Sequence, residues 1–435
     1  MWLIGLVRRL KIHSARDLYF LVMAFLLPIH LVPVFRKGVT VFHVINAVLL
    51  VVLLFAALNR RERLRWPLLL PLWMIFLGSL IGMFNSQVLG INVYTLLQDV
   101  YLYLWAVALI AMLADQRDMD YLTTAWLFAS IAVMASGFIL GGDVVGLQVF
   151  RDEFTFRNPN RAAAYFMTSL FLLFAPALRG LRLLRVLVAG ALLWAIWLTG
   201  SVGTFTSVLA GGAIMIFALS YARGTAYWWI PRQVLMLLIA GAMVYVNVAF
   251  DIEAALVSRF PHAFGRTPRS AAARQLIWGY GFDEFGKHPL GIGPASFAGQ
   301  VYTGFSKDGR IELHSDFLAT LVERGPIGFA GLLILIGGVA LALMRLLGLA
   351  RRIRSPDLSL WAAALCGVCA AYVVYALSHE ALHHDTLWMV IAFVFAQVKI
   401  AQAQLAGAQR AGPVPVAVAT RLVPTAPGRP LLSGP

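Results

Sequence analysis

Long runs of apolar residues alternate with short polar connections along most of the chain. The runs are roughly 20 residues long, which is the length that an α-helix needs to cross the hydrocarbon core of a bilayer. They lie at approximately 17–35, 39–58, 66–84, 91–114, 121–140, 160–178, 182–200, 203–221, 233–250, 326–347, 359–377 and 382–405. The pattern predicts an all-α polytopic membrane protein with about 12 transmembrane helices.

One connection, residues 251–325, is much longer than the others and carries helical signals of its own. The stretch TPRSAAARQLIWGYGFDEFGKHPL begins with helix-forming residues and ends at the glycines and proline of HPLGIGP. Leu313, Phe317 and Leu321 recur at every fourth position and predict a second helix, which Gly325 ends. We expect these amphipathic segments to lie along the membrane surface.

The predicted organisation has four parts, and the last is rich in Pro, Ala and Gly with little periodicity. The parts are residues 1–250 with helices 1–9, residues 251–325 with the large outward loop, residues 326–405 with helices 10–12, and a disordered tail at 406–435.

Composition and charge agree with a membrane protein. Hydrophobic residues make up 60% of the chain and charged residues only 13%, which excludes an ordinary soluble domain. The net charge of +15 comes largely from Lys and Arg in alternate connections, and this is the bias of loops that face the cytoplasm. The distribution predicts that both termini are cytoplasmic, and it explains the charge without a nucleic-acid partner.

A second group of cations lies on the predicted outward side, where Lys and Arg are normally avoided. Its members are Arg151, Arg157, Arg161, Arg259, Arg266, Arg269, Arg274, Lys287, Lys307, Arg310 and Arg324. Any one of them is compatible with a solvated basic surface, since long loops are partly exempt from the rule. As a group they predict a pocket for an anion, and near a bilayer that anion is a lipid phosphate or pyrophosphate.

Arg161 has the most specific position in this group. In RNPNRAAAYF, Asn158 and Asn160 occupy capping positions, and Arg161 falls in the first turn of a predicted transmembrane helix. A cation there opposes the helix dipole unless an anion binds at the same end. The alternative is an arginine that extends toward lipid headgroups.

His314 precedes the second helix of the large loop. The dipole at a helix N-terminus disfavours imidazolium, and nearby cations act in the same direction, so the ring is expected to be neutral at pH 7. A neutral imidazole beside an anion pocket is suited to act as a general base. A packing or capping histidine is the alternative.

Two stretches carry a family resemblance. The sequence RQLIWGYGFDEFGKHPLGIGPASF, followed by LHSDFLATLVERGPIG, resembles the signature region of the O-antigen ligase and O-antigen polymerase superfamily. The features are Arg274 four residues before Trp278, a His-Pro-Leu-Gly-x-Gly turn that begins at His288, and His314-Ser315 on a Leu-rich helix. Many relatives carry Ser-Arg-Gly after the seventh helix, whereas residues 201–203 are Ser-Val-Gly, so an arginine from elsewhere must replace that one.

The resemblance implies a membrane glycosyltransferase of the C-type fold that needs no metal or cofactor. The implied donor is a glycan on undecaprenyl pyrophosphate, and the implied acceptor is a hydroxyl of lipid A–core oligosaccharide on the periplasmic side of the bacterial inner membrane. By the same resemblance His314 is the base, and the pyrophosphate ligands are Arg161, Arg266, Arg269 and Arg274. Secondary candidates are Asn160, Arg157, Arg310, His288 and His383.

Other functions remain open at this stage. A polymerase would use the same donor with a lipid-linked glycan as acceptor, and an oligosaccharyltransferase of the superfamily would modify a glycoprotein. A transporter is a third possibility, for which Asp99 is the clearest intramembrane acid, although it could equally be an interhelical hydrogen-bond partner. The cluster of His379, Glu380, His383, His384 and Asp385 is compatible with zinc, since His379 and His383 are four residues apart, but a wetted helix connection or a supporting layer around the active site fits better. The acidic pair Asp118 and Asp120 lies on the predicted cytoplasmic side, away from the expected chemistry.

Overall fold

The computed structural model describes residues 10–29, 40–59, 66–140, 154–156, 158–176, 182–225, 269–301 and 312–410. Within these ranges every regular element is a helix. The α-helices are α1 (Ala15–Leu26), α2 (Val41–Asn59), α3 (Leu69–Gly82), α4 (Leu89–Met112), α5 (Gln116–Leu140), α6 (Pro159–Leu172), α7 (Arg182–Leu198), α8 (Val202–Ala222), α9 (Arg269–Lys287), α10 (Phe297–Gln300), α11 (Asp316–Ile353), α12 (Pro356–Ala376) and α13 (Asp385–Arg410).

Five of these helices are long and apolar enough to cross a membrane, namely α4, α8, α11, α12 and α13. The prediction of a helical membrane protein is therefore confirmed. The number of twelve spans stays a prediction, because the ninth apolar run, residues 233–250, lies outside the described residues.

Two predicted spans are shorter than expected. Helix α1 ends at Leu26 and α6 at Leu172, whereas the apolar runs continue to about 35 and 178. Pro28 and Pro176 follow these two ends, and a residue before proline is disfavoured in the helical conformation. At the other extreme α13 continues to Arg410, past the predicted limit of 405.

The second helix of the large loop is the beginning of α11, and it differs from the expected surface helix. Gly325 has φ +63° and separates this first part from the membrane span, so the predicted break is present. The helix begins at Asp316, however, and Leu313 is buried just before it. Most of the first part is buried rather than amphipathic, because Glu323 and Arg324 find partners inside the protein.

Helices α3 and α11 cross at very short range. A Cβ atom on Gly78 would overlap the carbonyl of Arg324 and the backbone of Gly328. Four residues later, Gly82 faces the carbonyl of Glu323 in the same way. Small residues at this spacing let two helix backbones approach each other inside a membrane.

Substitution Gly78→Ala tests this crossing. We expect a loss of stability of about 1–3 kcal/mol, because backbone atoms cannot move aside as side chains do. Gly337→Ala on α11 is the matched control, since its new methyl group would meet nothing within 4 Å. Thermal unfolding in detergent should show a lower melting temperature for Gly78→Ala alone, and equal melting temperatures for the two variants would contradict the crossing.

The centre of the bundle is formed by α12 and α13, whose residues are mostly buried. Helix α12 packs along α8, and α11 packs along α3. A chain of hydroxyl groups ties three helices together, since the Tyr372 hydroxyl lies 2.9 Å from the Thr168 hydroxyl and donates to Thr386 at 2.6 Å. These contacts fix the C-terminal end of α12 against α6 and α13, where the candidate site lies.

Candidate functional site

The starts of α6 and α11 meet at the C-terminal end of α12. The hydroxyl of Tyr375 donates a hydrogen bond to the carbonyl of Asn160, in the first turn of α6, at 3.0 Å. The hydroxyl of Ser315, the N-cap of α11, donates to the carbonyl of Ala376 at 3.4 Å. Two adjacent residues of α12 therefore hold both helix starts at one end of the bundle.

The starts of α8 and α13 lie at the same end. A Cβ atom on Gly203 would come within 2.6 Å of the ring of His379, so α8 begins directly against the connection 377–384. That connection leads into α13 at Asp385. Four helix N-termini thus meet around one short segment. Their dipoles favour an anion at this end of the bundle.

The opposite end of the bundle holds predicted cytoplasmic connections. Arg16 pairs with Asp118 at 3.0 Å, and Arg117 pairs with Asp17 at 3.1 Å. These two described connections therefore lie at the end opposite the helix starts. Which end faces the periplasm stays a prediction.

His314 lies immediately before the N-cap of α11. Its backbone is left-handed, with φ +52°, and the residue is partly exposed. The indole N–H of Trp278 on α9 donates to the carbonyl of Leu313 at 3.1 Å and fixes the preceding residue. A left-handed conformation at a residue with a side chain costs on the order of 1–3 kcal/mol and is enriched at functional sites.

The carboxylate of Asp316, in the first turn of α11, joins this helix start to the connection 377–384. It accepts hydrogen bonds from the N–H of Ala381 at 2.8 Å and from that of Leu382 at 3.1 Å. The entrance to α11 is therefore tied to that connection.

The surroundings of Glu380 favour its neutral form. Burial, together with the nearby carboxylates of Glu312, Glu323 and Asp316, raises the pKa of Glu380 well above its ordinary value of 4.5. The backbone N–H of His314 lowers the pKa of Glu380 but does not reverse the shift. The folded protein therefore holds a proton here more tightly than the unfolded chain does.

This pKa shift predicts a pH dependence of stability. Stability is full below the unfolded-state pKa and is lost as pH rises through the higher folded-state pKa, because the folded state then carries an unfavourable charge. Glu380→Gln removes that charge, so we expect its melting temperature to exceed that of the wild type by roughly 2–4 °C at pH 8 and to match it near pH 4.5. A difference that does not change with pH would contradict the assignment.

A buried ionic cluster lies at the end of the first part of α11, the part that follows His314. Arg324 is 2% exposed and contacts Asp99 on α4 at 2.6 Å. His383 contacts the other carboxylate oxygen of Asp99 at 3.1 Å, and its Nε2 lies 3.1 Å from Arg324. The sequence placed Arg324 among the pocket cations, and it left Asp99 as either a transport acid or an interhelical hydrogen-bond partner. The structure pairs the two residues and so bears out the second interpretation of Asp99; they lie 225 positions apart, and no sequence signal joins them.

The glycine-rich turn of the signature region packs against the same segment of α11. Gly291 and Gly293 have φ +100° and +95°, which residues with side chains rarely adopt. The carboxylate of Glu323 accepts from the N–H groups of Ala295 at 2.8 Å and Phe297 at 3.1 Å. His288, at the beginning of the turn, is partly exposed and directly follows the end of α9. Its ring lies 3.7 Å from Glu284, in the last turn of that helix.

Arg161 lies at the start of α6, beside the end of the connection 377–384. The side chain of Asn158 caps the helix by accepting from the N–H groups of Asn160 at 2.9 Å and Arg161 at 3.3 Å. The partly exposed Arg161 lines a small cleft with Phe156, His384, Asp385 and Thr386. Arg161 and the start of α13 therefore line one cleft, where a guanidinium and a helix dipole both favour an anion.

The comparison with protein families bears directly on this region. Residues 186–333 match the family model described as O-antigen ligase. The matched segment is about a third of the chain and includes α8, α9, the glycine-rich turn and the start of α11 with His314. The resemblance to the O-antigen ligase and polymerase superfamily is confirmed, and no curated protein matches the chain.

Several predicted pyrophosphate ligands fall where the structure gives no side chain. The structure describes the backbone of Arg269 and Arg274, which lie in α9, but not their side chains. Arg157, Arg266 and Arg310 lie outside the described residues altogether. Their part in anion binding stays a prediction.

The histidines of the connection 377–384 point to different partners. His379 stacks on Tyr375 with ring centroids 4.4 Å apart, whereas His383 contacts Asp99. Across the described ranges, no group of three or more His, Cys, Asp or Glu side chains is arranged to hold a metal ion. The zinc site that the spacing suggested is therefore not assembled there. Cys366 and Cys369 lie on α12, where they line an apolar cavity.

Proposed function

We propose that this protein is a membrane glycosyltransferase that moves a glycan from undecaprenyl pyrophosphate to a hydroxyl group of lipid A–core oligosaccharide. One observation supports the proposal most strongly. His314 lies at the end of the bundle where the starts of α6, α8, α11 and α13 meet, with Arg161 at the first of these. A proton acceptor and an anion-binding face therefore share one end, which we assign to the periplasm.

In the proposed reaction the neutral imidazole of His314 takes the proton from the acceptor hydroxyl. The acceptor oxygen attacks C1 of the donor sugar, and the bond between C1 and the pyrophosphate oxygen breaks. The electron pair leaves with undecaprenyl pyrophosphate, and attack from the opposite face inverts the anomeric carbon. No metal or cofactor takes part in the reaction as proposed.

The anion-binding groups lower the cost of that departure. Arg161 and the dipoles of the helix N-termini provide positive charge where the pyrophosphate gains negative charge. Arg266, Arg269 and Arg274 are proposed to complete the pocket, with Asn160, Arg157, Arg310 and His288 as further candidates. His383 is proposed to act only through its contacts with Arg324 and Asp99.

The pairing of Asp99 counts against the transporter alternative. Asp99 suggested a transporter as an intramembrane acid, but its carboxylate is paired with the buried guanidinium of Arg324. An acid neutralised in this way is better explained as a contact between α4 and α11.

The test is an assay with purified protein, a glycan on undecaprenyl pyrophosphate and a metal chelator. The acceptor is either lipid A–core or a second lipid-linked glycan. Glycosylated lipid A–core with release of undecaprenyl pyrophosphate is the expected result. Extension of a lipid-linked glycan in its place would identify a polymerase. Counterflow of the donor in liposomes without any product would identify a transporter and overturn the proposal.

A further inference from the structure

The residues on either side of His314 are each held by a different helix. On the N-terminal side, the indole N–H of Trp278 on α9 donates to the carbonyl of Leu313 at 3.1 Å. On the C-terminal side, the hydroxyl of Ser315, the N-cap of α11, donates to the carbonyl of Ala376 on α12 at 3.4 Å. The backbone around the candidate base is therefore anchored to two other helices.

The indole contact acts directly on the conformation of His314. The carbonyl of Leu313 and the N–H of His314 belong to one planar peptide unit. Rotating that unit would turn the carbonyl away from the indole of Trp278 and would change the φ angle of His314, which is +52°. A left-handed backbone costs free energy of the same order as one hydrogen bond provides. The bond from Trp278 therefore stabilises the left-handed form of His314.

Close packing of α9 supports this contact. Leu313 is 1% exposed and packs in one apolar cluster with Ile277, the neighbour of Trp278. A Cβ atom on Gly281, one turn further along α9, would come within 2.7 Å of the Leu313 side chain. The absence of a side chain at Gly281 lets α9 approach this closely. The indole bond is thus part of a packed interface that holds Leu313 by both its backbone and its side chain.

We propose that Trp278 is a positioning residue, whose indole N–H holds the peptide unit before His314 and so directs the imidazole toward the acceptor hydroxyl. This inference rests on the proposed function of His314 as the base. It gives α9, a helix of the large predicted outward loop, a part in the chemical step. It assigns Trp278 a role through His314 and no direct contact with the substrate.

Positioning of this kind affects the rate of the chemical step more than the binding of substrate. A general base must stay within hydrogen-bond reach of the proton that it removes, and a displacement of about 1 Å can cost up to about 100-fold in rate. The indole N–H is the one hydrogen-bond donor of a tryptophan side chain. Benzothienylalanine has the same two fused rings with sulfur in place of the N–H, so it removes the donor and keeps the shape.

The experiment replaces Trp278 by benzothienylalanine and, in a second variant, makes Trp278→Phe. We expect the benzothienyl protein to have a kcat about 10-fold below the wild type, with the KM for the donor within about twofold. Trp278→Phe also lacks the N–H and should lower kcat at least as far. The same benzothienyl replacement at Trp194, which is exposed on α7, is the matched control and should leave both constants unchanged. An unchanged kcat at position 278, or a rise in KM alone, would overturn the inference.

A second measurement does not depend on activity. In protein with isotope-labelled tryptophan, the nuclear magnetic resonance signal of the Trp278 indole is identified by its loss in Trp278→Phe. This N–H should exchange with heavy water about 10-fold more slowly than the exposed indole of Trp194. Equal exchange would overturn the inference. A protected Trp278 indole in a wild type that forms no product with either acceptor would overturn the proposed function alone.

Discussion

Replacing His314 by alanine is expected to lower kcat for glycan transfer by about 10²- to 10⁴-fold, the usual contribution of a general base. Without the imidazole, the acceptor hydroxyl keeps its proton while its oxygen attacks, so the barrier to the chemical step rises. Donor binding should change little, because the groups proposed to hold the pyrophosphate stay in place. Single-turnover assays with radiolabelled donor measure the chemical step separately from binding.

His13→Ala is the matched control for this variant. His13 is an exposed histidine at the other end of the bundle, and its backbone N–H donates to Asp17. Both variants should insert in the membrane and purify like the wild type, with activity lost only from His314→Ala. Transfer by His314→Ala at the wild-type rate would remove the base assignment.

The second large effect concerns the buried pair of Arg324 and Asp99. Arg324→Met or Asp99→Leu alone is expected to destabilise the protein by about 3–5 kcal/mol, because each leaves the other charge buried without its partner. The double variant should recover much of that loss, since two apolar side chains replace both charges. Unfolding in detergent, followed by tryptophan fluorescence, gives the three differences and their coupling.

The same three variants also show whether the pair of Arg324 and Asp99 has a structural or a chemical role. If the pair only joins α4 to α11, the double variant regains transfer activity together with stability. Additive losses in the two single variants would contradict a direct interaction. A stable but inactive double variant would show that the charges themselves serve the reaction.

Much of the fold was predictable because its signals are local. Apolar runs gave the membrane helices, and Gly325 followed by Pro326 gave the break in α11 at the correct residue. The helix ends at Leu26 and Leu172 were missed because apolar residues continue past the prolines that stop those helices. A hydropathy pattern measures apolar content, whereas a helix end depends on backbone sterics.

The candidate site was predictable only in part, for the same reason. The position of His314 before a helix start follows from a short motif, as does the start of α6 at Asn158 and Arg161. The contacts of Asp316 with Ala381 and Leu382, and of Arg324 with Asp99, join segments far apart in the chain. Pairing across such distances is set by how helices pack, and one sequence carries no direct signal for it.

The binding of undecaprenyl pyrophosphate to purified protein tests the central claim most directly. If the anion binds where the helix starts meet, Arg161→Gln should weaken the affinity by about 10-fold, the loss expected for one charge-assisted contact. Arg16→Gln, at the other end of the bundle, and His314→Ala should bind as the wild type does. Equal affinity in Arg161→Gln and the wild type would contradict the claim that this end of the bundle holds the pyrophosphate.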